Sequence, residues 1–338
     1  MLEAFSDALP PPASRLLRAG YLAVQSFFVL SGFVLARTYA STRWNRKKLA
    51  DYAMARFARI YPVYFLSLLI VGYFIVRYLL FAPGGTARTI RVTEYVLLLQ
   101  GWLPPLGVGW NTPAWSLSCE FVFYLCLPAV AIWMSRGRHG LKVLALAAGA
   151  LFLPTLLRNA DTPSTWKPIY HVADFLAGVA IAYLLPLLRR SSVRWFHRGE
   201  WLYLPAALAG LAIISYPTLL PGGLEIKTPL RVLNAAALFG LALGGGWVAR
   251  TLAHPAADYL GKISYSVYIL HVPVLWWFGN ATLVRRGVPP PFAALAYLSL
   301  VVAASALAYR FVEAPANRWL RSLTRPRVRT IEVEAAAA

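Results

Sequence analysis

Residues 111–134 read NTPAWSLSCEFVFYLCLPAVAIWM. From Ala114 onward the stretch holds one charged side chain, Glu120, and matches the roughly 20 helical residues that cross a bilayer core. A helix satisfies its backbone polar groups within one segment, so a run of this kind reads as a membrane span. Comparable runs lie at 21–38, 60–82, 141–158, 170–188, 201–219, 230–249, 263–281 and 291–312. The expected fold is therefore all-α, a polytopic transmembrane bundle of about nine spans. Segment 92–104 is apolar but short and ends at Pro104-Pro105, which suits a re-entrant or interfacial piece.

Composition agrees. Hydrophobic residues make up 59% of the 338 and charged residues 14%, against about 45–50% and 25% in an average soluble domain. The net charge of +20 does not point to nucleic acid, because the cations sit in short segments between apolar runs. About two in three of the Lys and Arg fall in alternate connections, the pattern of cytoplasmic retention. That places the C-terminus in the cytoplasm and the N-terminus outside, with membrane lipid as a partner of the whole chain. Residues 1–20 are Pro-rich without an apolar h-region, so no cleavable signal peptide is read there. The division is a 1–20 extracytoplasmic segment, a 21–320 transmembrane domain and a 321–338 cytoplasmic tail, basic, then Ala-rich and disordered. The weight of Leu, Ala, Arg and Pro points to a bacterial inner membrane.

Polar residues inside such runs are costly and mark function or structural pairing. Glu120 has Ser116 one helical turn before it and Tyr124 one turn after, a polar stripe on one face. Asn111 precedes the same span and Trp115 lies in its first turn. Arg56 and Arg59 share a face before Pro62; they are either a positive-inside anchor or a pair that holds phosphate by bidentate hydrogen bonds. His171 and Asp174 share a face, as an interfacial salt bridge or an oriented base. In LGKISYSVYILHVPV, residues 260–274, Ser264, Tyr268 and His271 recur at helical spacing beside Tyr265, and His271 is the histidine placed well inside a span. Ser31-Gly32 reads as a close-packing pair, Glu313 as one member of an ion cluster with Arg310, Arg318 and Arg321, and Cys119 and Cys126 as small packing residues on one helix face. No metal-ligand spacing is present, and no phosphate-binding, dinucleotide or GxSxG signature.

Taken in order, SFFVLSGF (26–33), RFARIYP (56–62), WSLSCEFVFYLCLP (115–128), DFLAGVAIAY (174–183), LGKISYSVYILHVPV (260–274) and YRFVEAPANRW (309–319) resemble the acyltransferase-3 family. The resemblance covers about residues 20–320. It implies ten transmembrane helices and transfer of an acyl group, often acetyl, from a coenzyme A thioester to a hydroxyl of a carbohydrate or lipid-linked glycan. It implies no bound cofactor, with acyl-CoA as co-substrate. By the same resemblance Arg56 and Arg59 match the family's donor-side arginines, Glu120 its glutamate after WSL, and His271 the histidine of its SYxxYxxHxPV element. Asn111, Trp115, Ser116, Tyr124, Ser264, Tyr265 and Tyr268 would line the substrate channel. The family's first helix carries a histidine regarded as the catalytic base; residue 1 falls after that helix would end, so Glu120 and His271 are expected in supporting roles. Two other readings stand beside it: a transporter or flippase of a lipid-linked sugar, and a non-catalytic truncated paralogue.

Overall fold

The structure is a computed structural model describing residues 10–82, 85–103, 109–137, 139–159, 167–189, 199–220, 226–244, 246–281 and 287–324. Every regular element among them is helical: α1 Pro11–Arg18, α2 Ala23–Tyr39, α3 Arg46–Ile70, α4 Gly72–Phe81, α5 Gly85–Val96, α6 Ala114–Ser135, α7 His139–Asn159, α8 Lys167–Arg189, α9 Glu200–Ser215, α10 Lys227–Leu243, α11 Gly246–Leu252, α12 Pro255–Ala281, α13 Pro290–Ala308 and α14 Ala314–Ser322. Pro62, Pro128, Pro186 and Pro273 lie inside helices, a tolerance typical of spans whose neighbours take up the freed carbonyls. Large apolar side chains such as Leu30, Phe65, Leu69, Leu144, Leu208, Leu298 and Leu307 face outward, as lipid-facing surface requires. Inside, Phe28, Ile60, Val63, Leu117, Leu127, Met134 and Ile269 form a close-packed core.

Among the described residues five helices are long and apolar enough to cross a membrane: Pro11–Tyr39, Arg46–Ile70, Ala114–Ser135, Pro168–Leu188 and Pro291–Ser322. The other four expected crossings are helical too, but fall short of that standard in different ways. Glu200–Ser215 has 16 residues, and α7 contributes the shorter apolar stretch His139–Pro154. α10 and α11 form a bent pair, broken where Gly244 takes a φ of 87°. α12 has 27 residues but its Ser, Tyr and His residues lower its hydropathy.

Boundaries also shift. The crossing expected at 60–82 begins at Arg46, because Asn45 caps the helix by accepting a hydrogen bond from the Lys48 backbone N–H at 2.8 Å; it then breaks at Val71. The expected N-terminal segment is partly helical, since α1 and the 3₁₀ turn Ala19–Leu22 lead straight into α2. Arg15 there donates to the Ser215 carbonyl at 2.8 Å. Segment 92–104 closes α5 rather than crossing. Buried Leu98 follows at a φ of 58°, and Ser118 of α6 pins this turn by donating to the Leu98 carbonyl at 2.5 Å. Pro104-Pro105 and the tail from residue 325 lie outside the described residues.

The bundle is drawn together where backbones touch. A methyl group at Gly32 of α2 would overlap the Phe175 carbonyl of α8, and one at Gly178 of α8 would overlap the Val29 carbonyl of α2. The Ser31-Gly32 reading as a packing pair is thus met by a glycine on the partner helix, the small-residue logic of membrane helix association. Gly199 and Gly240 make a similar contact between the start of α9 and α10. Gly178→Ala should lower stability by about 1–3 kcal/mol, the cost of overpacking against a backbone that cannot yield. Gly149→Ala, where the nearest atom is a side-chain methyl at 3.9 Å, should be nearly silent. Thermal unfolding in detergent compares the two.

Candidate functional site

Glu120 is buried in the second turn of α6. Its Oε1 accepts a hydrogen bond from the Ser31 hydroxyl of α2 at 2.6 Å and a short one from the Tyr124 hydroxyl one turn further along. Arg56 and Arg59 of α3 lie close enough to act on it electrostatically. Arg56 itself stands 5.9 Å over the Tyr52 ring and 5.6 Å over the Tyr124 ring, and its Nε is buried without a hydrogen-bond partner. Tyr52 closes this group by donating to the Tyr124 carbonyl at 2.7 Å. One carboxylate thereby links α2, α3 and α6.

Arg59 does something different. It forms an ion pair with Glu313, which sits in the π-helical turn Tyr309–Glu313 between α13 and α14. Glu313 also accepts from Ser266 at 2.7 Å, and the Arg59 guanidinium stacks 5.2 Å from the Tyr265 ring. The ion cluster expected of Glu313 with Arg310, Arg318 and Arg321 therefore does not form among the described residues. The π turn aims Glu313 inward at 2% exposure, while Arg310 lies over Phe311.

Further from the α2–α3 loop a second polar group gathers. The Ser116 and Tyr268 hydroxyls are 2.8 Å apart. Buried Asn111 donates to Ser67 at 2.9 Å and to the Ile269 carbonyl at 3.0 Å. His271 Nδ1 lies 2.6 Å from the Tyr268 carbonyl. Because a carbonyl can only accept, Nδ1 carries the proton and the neutral ring keeps its lone pair on Nε2. Beside this group, His171 Nδ1 is 2.9 Å from Asp174 Oδ2, and Arg231 of α10 donates to Asp174 Oδ1 at 2.5 Å. Asp174 is wholly buried, so the pair expected at an interface is a three-residue cluster inside the bundle. The His171 ring packs 5.2 Å from Trp115 and 5.1 Å from Phe28.

The sequence stripe thus divides. Tyr124 and Glu120 stay together; Ser116 leaves them for Tyr268. Ser264 points outward and bonds its own turn, whereas Ser266, which the spacing passed over, is buried on Glu313. Ser31, read as packing, is a ligand of Glu120. Cys119 is buried as expected, but Cys126 is exposed, since the face they share turns outward along α6. Among the described residues no three His, Cys, Asp or Glu gather to hold a metal ion.

Removing one member of a buried ion pair strands the other. Arg59→Met should therefore destabilise the protein by about 1–3 kcal/mol, discounted for the partial exposure of Arg59. The double substitution Arg59→Met/Glu313→Leu should recover part of that loss. Chemical denaturation of the two variants in the same detergent measures the difference.

Comparison with known proteins supplies the family. A family model described as an acyltransferase domain matches residues 3–310. The "Acyltransferase MdmB" of Streptomyces mycarofaciens is 29% identical over 89% of this chain and 82% of its own length. The "Peptidoglycan O-acetyltransferase OatA" of Listeria monocytogenes is 23% identical over 89% of this chain, which spans 52% of that protein. "Protein 2 in picA locus" of Rhizobium radiobacter is 37% identical over 40% of this chain. No solved structure matches. With nearly its whole length matched by that model, the chain belongs to the acyltransferase-3 family.

Proposed function

We propose that the chain is a multi-pass cell-membrane O-acyltransferase. It takes an acyl group, acetyl in the first instance, from acyl-coenzyme A at the basic, cytoplasmic face. It delivers that group to a hydroxyl of a cell-envelope carbohydrate or glycolipid. In this reading all nine apolar segments cross, and the C-terminus is cytoplasmic. The observation that carries it is the pair of hydrogen-bonded hydroxyl groups along α6 and α12. One lies near Arg56 and centres on Glu120; the other centres on Tyr268 and His271.

The chemistry fits those groups. The acceptor oxygen attacks the thioester carbonyl carbon, a C–O bond forms, the C–S bond breaks, and the hydroxyl proton ends on the leaving thiol. His271 Nε2 offers a lone pair to the acceptor hydroxyl. The Ser31 and Tyr124 protons are spent on Glu120, but in the Ser116–Tyr268 pair one hydroxyl suffices to bond the other, so the second can turn its O–H to an oxyanion, a donor that gains strength in a water-poor interior. Arg56, with one guanidinium N–H unsatisfied, meets the donor; Arg59, engaged by Glu313, shapes the wall beside it. Asn111, Trp115, Tyr265 and Tyr268 line the remainder of the path.

The test is thiol release from acetyl-coenzyme A by purified protein in liposomes supplied with lipid-linked glycan. Thioester consumption is expected, with Glu120→Gln and His271→Gln each reducing turnover by about 10²-fold or more. Arg56→Gln should raise the donor KM more than the acceptor KM. Unchanged turnover in both the carboxylate and the imidazole variant would remove Glu120 and His271 from the chemistry, whereas sugar-lipid movement without thiol release would sink the reading in favour of a transporter.

A further inference from the structure

The loop after α2, the first turns of α3 and the end of α14 line a half-open cavity of about 650 Å³, within the usual size of a small-molecule site. Arg43, Lys47, Lys48 and Arg321 set four cations on its wall against one carboxylate, Asp51. Among the described residues none of the four cations is in an ion pair. The capped N-terminus of α3 adds the positive end of a helix dipole at the same place.

Retention of positive charge on one membrane side accounts for cations near a lipid surface. It does not account for their arrangement around a cavity whose wall also includes Asp51, with an unsatisfied carboxylate oxygen. Asp51 Oδ1 is buried with no hydrogen-bond partner, as is the neighbouring Trp44 Nε1. A buried acceptor in that condition is destabilising unless something else pairs with it. Aromatic surface is at hand too: Tyr39 lines the cavity and stacks on Trp44 at 5.7 Å. Tyr52, also in the wall, is the side chain that bonds the Tyr124 carbonyl, so the cavity lies one residue from the Glu120 group.

We propose that this cavity seats the phosphorylated nucleoside end of the thioester donor. Arg43, Lys47, Lys48 and Arg321 hold its phosphates. Asp51 Oδ1 accepts a hydrogen bond from an amino group on the purine, which lies against Tyr39. The acyl arm passes Tyr52 and Arg56 toward Glu120. The assignment rests on the acyltransferase reading and moves the phosphates away from Arg56 and Arg59, whose charges are taken up by aromatic rings and by Glu313. A phospholipid headgroup offers the same phosphate chemistry, so the test separates the two sources.

Purified full chain is placed in nanodiscs of phosphatidylcholine alone, and in discs that also contain phosphatidylglycerol. Binding of coenzyme A, dephospho-coenzyme A, pantetheine and adenosine 3′,5′-bisphosphate is measured by calorimetry. Lys47 and Lys48 are exposed, so Lys47→Ala/Lys48→Ala should fold normally, which thermal unfolding checks; Lys262→Ala, outside the cavity, is the control. In neutral discs the double variant is expected to bind coenzyme A about tenfold or more weakly, given charge-assisted contacts. Its weak binding of pantetheine should not change, and the bisphosphate should displace coenzyme A from wild type. Wild-type affinity in the double variant, with thioester turnover intact, overturns this assignment and leaves the acyltransferase reading standing. No coenzyme A binding by wild type, together with phosphatidylglycerol retention that depends on Lys47 and Lys48, makes the cavity a headgroup site and removes both.

Discussion

A carboxylate within an apolar bundle must be supplied with donors or charge partners, because hydrocarbon offers it neither. Four such groups among the described residues are each at most 2% exposed; Glu94 is paired within its own helix by Arg91, whereas Glu120, Asp174 and Glu313 each draw at least one partner from another helix. Glu120 reaches α2 and stands beside α3; Asp174 reaches α10; Glu313 reaches α3 and α12. Sliding any one of these helices by a turn would leave a buried carboxyl without its partners. The close approach of α2 and α8 at Gly32 and Gly178 then fixes the spacing that keeps Ser31 within reach of Glu120. Polar pairing selects the register and the small residues permit it.

This division explains what was legible in the sequence. Apolar runs announced the helices, since length and hydropathy are local properties. Helical spacing also placed Glu120 with Tyr124, and His171 with Asp174, because neighbours one turn apart share a face in any context. Partners from distant helices left no such signature. Arg59 and Glu313 are 254 positions apart, and the sequence offered three nearer arginines for that glutamate. The π-helical turn that rotates Glu313 inward is a backbone event with no compositional marker. Ser264 and Ser266 differ by two positions, about 200° around a helix, so choosing between them required knowing which face of α12 meets α3.

The crossing count failed to transfer fully for a related reason. Hydropathy measures average cost against lipid, yet α12 is packed against protein along its polar face, with Ile263, Ile269 and Leu270 buried beside Tyr265 and Ser266. A helix that carries a site is made less apolar by the site. Lower hydropathy in α12 is therefore the mark of that polar face, which bears Tyr265, Ser266 and Tyr268.

That helix also connects the two polar groups. Tyr265 lies under Arg59 toward the α2–α3 loop, and Tyr268 one turn on meets Ser116. A reaction between a charged donor and a hydroxyl acceptor in an apolar bundle needs the two reactants to meet without either being carried whole through hydrocarbon. Phosphates are the part of a thioester donor most costly to bury, so a cavity that holds them at the basic rim leaves only the acyl arm to enter. The arm is uncharged, and the Ser116–Tyr268 hydroxyl pair of α6 and α12 could solvate its carbonyl at little electrostatic cost. On the proposed reading, a cationic rim outside and an interior whose charges are paired (Arg59 with Glu313, Arg231 with Asp174) is the arrangement that would make transfer inside the bundle physically feasible.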